Sequence, residues 1–94
     1  MSSKADRKSA REAVATYHEA QLEALVERVG AAIDGFRDDQ LDAFDVDQVL
    51  LQYSRAAKEL WKFCNVGDVE LAATAVRDQV HLDWWGLGAP RARP

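Results

Sequence analysis

Asp78 and His81 are the nearest this 94-residue chain comes to a metal-binding or acid–base pair: a carboxylate and an imidazole, one helical turn apart. A single pair is too few donors, since a protein-held zinc takes three or four side-chain ligands. The other histidine, His18, falls on the inward stripe of the first helix by heptad count, with Tyr17, Glu19 and Glu23 nearby. Neither HExxH nor the two Glu-x-x-His units of di-iron bundles is present. We therefore expect no metal and no cofactor, with His18, Asp78 and His81 the weak candidates. His18 reads as a seam histidine hydrogen-bonded across an interface, and His81 as a surface residue. At a symmetric contact, protonation of His18 near neutral pH would modulate dimer strength.

Cys64 is the one cysteine, so no internal disulfide exists. A nucleophilic thiol needs a base or a positive neighbour, and the negative end of a helix dipole disfavours the thiolate. Cys64 therefore reads as a packed, inert thiol. Aspartates at 34, 38, 39, 42, 45 and 47 suggest calcium at first sight. No register among them supplies the alternating ligands, sixth-position glycine and twelfth-position glutamate of an EF-hand. They read as solvated and capping residues. Arg55, Lys58 and Lys62 form a basic ridge interleaved with Glu59 at i+4 and i−3 spacing, which suits a salt-bridged solvent face.

Trp84-Trp85 resists so plain a reading. Adjacent tryptophans on a helix cannot both face one core, so one is expected to pack back and the other to stay partly exposed. Tryptophan is enriched at binding hot spots. Tyr53, Trp61, Trp84, Trp85 and Leu87 are accordingly the expected interaction surface, against the plainer alternative of a C-terminal latch closing the bundle.

Charge and length narrow the class. The formal charge is −4, with Lys4, Arg7, Lys8 and Arg11 against Asp6 at the start and six aspartates against Arg37 over 34–47. A mildly acidic chain with basic ends argues against a nucleic-acid module, whose charge should cover one face. The opening residues lack the apolar run of a signal peptide, and no segment approaches the roughly 20 apolar residues of a membrane span. A cytoplasmic, non-membrane protein is expected. A single domain this small commonly gains its stability margin by oligomerising.

The positioning elements follow from periodicity. A flexible basic arm is expected over 1–8, then a helix over 9–37 entered by the capping box Ser9 to Glu12. Its stripe is Ala15, Leu22, Val29 and Phe36 with His18, Leu25 and Ala32, widened by Val26 and Ile33. Gly30 and Gly35 mark a bend or the close passage of another helix. Leu41 and Phe44 are expected to fold inward at the loop. A second helix is predicted over 45–64, with Asp45 as N-cap, Gln48 returning the bond and Phe44–Val49 as hydrophobic staple. Its stripe is Val46, Val49, Leu50, Tyr53, Ala57, Leu60, Trp61 and Cys64. Asp68 then caps a third helix over 68–83, and 86–94 is an irregular tail. The first helix is the longest, so its N-terminal half needs cover from the third helix or from a second copy.

The block FDVDQVLLQYSRAAKELWKFC from Phe44, followed by DWWGLGAPR from Asp83, resembles a group of small uncharacterised helical proteins from actinobacteria. The likeness spans about the last two-thirds of the chain and carries over no functional residue. Val26-Glu27-Arg28, Leu41, Tyr53 and Cys64 are also similar in order to landmarks of the exodeoxyribonuclease VII small subunit, a short acidic helical hairpin. Here the turn glycine is missing, the first landmarks are further apart and a third helical segment is added, so that likeness implies architecture alone.

Together these readings predict an all-α antiparallel hairpin or three-helix bundle with a tryptophan-containing tail. The expected role is that of a non-enzymatic interaction or accessory protein acting as a homodimer. Two alternatives are a metal- or small-ligand-binding bundle using His18 and His81 with nearby carboxylates, and an accessory nucleic-acid-associated regulator.

Overall fold

Ser3 starts the first helix: its hydroxyl accepts from the Asp6 amide at 3.1 Å while the Asp6 carboxylate accepts from the Ser3 amide. Helix α1 then runs Lys4–Arg37 in a computed structural model that describes residues 3–78 and 82–90. The start at Lys4 replaces the flexible arm and the Ser9 capping box expected from sequence. Ser3-Lys-Ala-Asp6 offers the same reciprocal cap one and a half turns earlier, and extending a nucleated helix through Ala and Lys is favourable. The added residues 4–8 are exposed, and the packing of α1 on α3 begins at Ala10 and Val14, buried against Ala72 and Ala73.

After α1 the amides of Gln40 and Leu41 both donate to the Gly35 carbonyl, and Asp39 adopts φ 60°. That left-handed conformation is one an aspartate tolerates better than most residues. A Cβ at Gly35 would lie 3.1 Å from Leu41, so this glycine admits the turn's leucine, whereas Gly30 has open space around it. Helix α2, Ala43–Asn65, is capped by Asp42, which exchanges bonds of 2.8 and 2.9 Å with Asp45. The cap therefore sits three residues before the expected Asp45. Asp42-x-x-Asp45 can satisfy two amides reciprocally, so Asp45 becomes the returning partner and Gln48 has no capping part. Phe44 consequently lies inside the first turn, 82% exposed, and is neither a staple nor inward.

Gly67, at φ 103°, turns the chain, and the Asp68 carboxylate accepts from the Glu70 amide to start α3, Val69–Arg77. Asp78 caps its end, well short of the expected residue 83. Asp83 instead begins a separate turn, α4, Trp84–Leu87, accepting from the Gly86 amide at 3.0 Å. A capping aspartate needs non-helical backbone of its own, so α3 cannot run through it. Gly86 and Leu87, expected in the irregular tail, belong to this turn.

The described residues are all helix, turn and loop, with no strand among them, as an all-α reading requires. Two small cores result. Ala10, Val14, Ala72 and Ala73 join α1 to α3; Leu25, Ala56, Leu60 and Trp84 join α1, α2 and α4. Val26, Ile33 and Phe36, expected in the seam, lie on its open flank.

Candidate functional site

His18 and Asp78, weak candidates for metal or acid–base chemistry, belong to no cluster of ligands among the described residues. His18 is half-buried on α1, Glu19, Glu23 and Asp78 are exposed, and His81 lies outside the described residues. Among the described residues no three His, Cys, Asp or Glu side chains come close enough to hold a metal. Cys64 is half-buried against both small cores, and burial pushes its thiol above the ordinary range, away from the thiolate a nucleophile needs. Asp42 and Asp45 act as caps at the start of α2, and Asp38 caps the end of α1. The basic ridge is divided: Lys62 pairs with Glu59 at 3.3 Å on an exposed surface, while Arg55 Nε donates to the Gly88 carbonyl at 2.6 Å.

Trp84 is the best-placed aromatic. Its side chain is 5% exposed, and its indole N–H donates to the Tyr17 hydroxyl at 2.8 Å. Phe63 stands between the two, with ring centroids 5.3 Å from Trp84 and 5.9 Å from Tyr17, both tilted as aromatic quadrupoles prefer. Trp84 is therefore part of the interior and leaves the expected docking surface. Tyr53 likewise packs, half-buried, against this core. Trp85 is half-buried under Arg28, whose guanidinium carbon lies 5.4 Å from the ring. Gln52 donates to the Trp85 carbonyl at 2.8 Å, and Gly88 lies on the α2 backbone so closely that a Cβ there would meet the Gln52 carbonyl at 2.5 Å. The roles of Tyr17, Arg28, Gln52 and Gly88 have no local signal in the sequence, because their partners lie 33 to 67 residues away.

Two features remain open. A cleft of about 260 Å³ between α1 and α3 is lined by Asp6, Ser9, Glu70, Thr74 and Arg77, and one buried Glu70 carboxylate oxygen there has no hydrogen-bond donor. The other is apolar. Val26, Ile33 and Phe36 on α1 and Leu50 and Trp61 on α2 are exposed, Val26 at 51% and Trp61 at 54%. Phe36, Ala43, Val46 and Leu50 line one shallow groove across both helices, so the two stripes meet at the end of the hairpin nearest the turn. No helix among the described residues is long and apolar enough to cross a membrane.

No protein family, curated protein or solved structure matches the chain.

Proposed function

We propose that this protein acts by association through its helical surfaces, as a non-enzymatic interaction or accessory module that works as a homodimer. The α1–α2 hairpin is the platform, arranged antiparallel, and α3 with the tryptophan turn closes its other side. One observation carries this reading: Val26, Ile33, Phe36, Leu50 and Trp61, five of the eleven large apolar side chains left exposed among the described residues, share the uncovered face of the hairpin, and no metal-ligand cluster forms among those residues. Buried apolar surface contributes about 25 cal/mol per Å², so a second macromolecule covering that face gains far more than water does. Contiguous exposed apolar patches on soluble domains commonly mark such contacts.

Sedimentation of the purified chain tests this reading together with elemental analysis. A concentration-dependent dimer that carries no stoichiometric metal supports it. A monomer that retains one equivalent of metal through a desalting column overturns it in favour of a ligand-binding bundle built around His18.

A further inference from the structure

The flank of α1 repeats with unusual regularity. Leu22, Val26, Val29, Ile33 and Phe36 alternate spacings of four and three, the a/d pattern of a coiled-coil seam, with no charged residue on that line. This stripe lies beside the one that buries Val14, Leu25 and Ala32: Leu22 and Val29 are half-buried along its inner edge, and Val26, Ile33 and Phe36 are exposed. On α2, Ala43, Leu50, Ala57 and Trp61 lie along the matching flank. From Ala15 to Phe36 the face is about 32 Å long and two helices, about 20 Å, wide. That footprint, on the order of 600 Å², approaches the roughly 800 Å² per partner of a standard specific interface.

The margins of the face say what covers it. Glu19 and Arg37 border it on α1, Asp47 and Lys58 on α2, and all four are exposed. Glu19 and Arg37 are equidistant from residue 28; Asp47 and Lys58 are equidistant from the point between Gln52 and Tyr53. The hairpin places those midpoints side by side. Tyr17 faces Phe63, and these lie eleven residues before Arg28 and about eleven after the α2 midpoint.

We propose that a second copy of this chain docks face to face here about a two-fold axis crossing both helices at those midpoints. Each α1 then runs antiparallel to the other α1, and each α2 to the other α2. The proposal rests on the homodimer reading and gives it a face and a register. Under this symmetry Glu19 meets Arg37 of the second copy, and Asp47 meets its Lys58. Val26 falls within one residue of Val29 of the second copy, and Leu22 within one residue of its Ile33. Bulk also meets lack of bulk: Trp61 stands over Ala43 of the second copy, and Leu50 over its Ser54 and Ala57. An axis parallel to the helices would instead set α1 over the other copy's α2.

The test uses two full-length variants, Glu19→Arg and Arg37→Glu, studied alone and mixed. In either variant alone, both α1 margin pairs become like-charged, and dimerisation weakens roughly five- to tenfold. Mixed, the two variants restore opposite charge at both margins, so native mass spectrometry shows heterodimer in roughly tenfold excess over statistical pairing. With α1 over the other copy's α2, the mixture would set the arginine of the Glu19→Arg chain against Lys58 and regain nothing. Val26→Glu gives a monomer whose circular dichroism is unchanged, since Val26 is exposed within one copy. Wild-type chain that stays monomeric overturns this proposal and the homodimer reading together. A wild-type dimer whose charge variants mix statistically, or that persists in Val26→Glu, overturns the face and register and leaves the homodimer standing.

Discussion

Cys64 shows how an environment decides a residue's chemistry. Burial holds its thiol protonated past the pH at which an exposed cysteine ionises. Labelling by a thiol reagent at pH 8 should therefore be slower than for the urea-unfolded chain; equal rates would mean the thiol is not shielded. The linked stability has a definite sign. The folded pKa is raised, so this contribution is complete below the ordinary thiol value of about 8.5 and is lost as pH rises through the folded value. Cys64→Ala should accordingly flatten the alkaline fall of the melting temperature. At the start of α2 the discriminating residue is Asp42. Its carboxylate satisfies one amide and its own amide is satisfied by Asp45. Asp42→Ala should cost about 1 kcal/mol in chemical denaturation, and Gln48→Ala close to nothing. The reverse order would restore the cap to Asp45.

Among the elements, α4 is a single turn whose local support is the Asp83 cap, and α1 and α2 hold it in place. Trp84 reaches Tyr17, Arg55 and Gln52 bind its carbonyls, and Gly88 permits the approach to α2. Gly88→Ala should lift the turn by inserting a methyl group against the Gln52 carbonyl and the Ala56 amide. The expected loss is about 1–3 kcal/mol, with Trp84 fluorescence shifting toward that of exposed indole. A variant with wild-type emission and stability would mean that α4 does not lie on α2. The hairpin helices were legible in sequence because their signals are local: apolar periodicity, caps and a polar turn. Errors came where two local solutions competed, as with Ser3 against Ser9 and Asp42 against Asp45. Both serines and both aspartates satisfy the same capping grammar, so the sequence alone does not rank them. The tryptophan turn was half legible. Two adjacent tryptophans had to divide between inside and outside, but Tyr17 as the phenol that receives the indole is a tertiary fact. The second α1 stripe was visible as apolar spacing and was assigned inward. Periodicity reports that a face is apolar, and only the fold reveals that α3 and α4 cover a different one.

The whole molecule explains why an open apolar face matters here. Its extents are 56 × 33 × 18 Å and its radius of gyration is 16.3 Å. A compact globule of 94 residues would have a radius of about 12 Å. The elongation follows from α1, whose 34 residues rise about 51 Å while no other helix matches its length. Such a shape buries little. Of the nine buried apolar residues, five are alanines, and Leu60 is the one large side chain fully enclosed among those described. Alanine contributes the least transfer free energy of the core residues, so the single-copy fold sits close to the stability threshold. In the proposed dimer, a second copy covering Val26, Ile33, Phe36, Leu50 and Trp61 would enlarge this core without lengthening the chain. Folding and association are then coupled, and melting must depend on protein concentration by mass action. For two chains of this length unfolding together, each tenfold increase in concentration should raise the melting temperature by about 4 °C. A melting temperature that stays constant from micromolar to near-millimolar protein would mean that one copy, thin core and all, is sufficient.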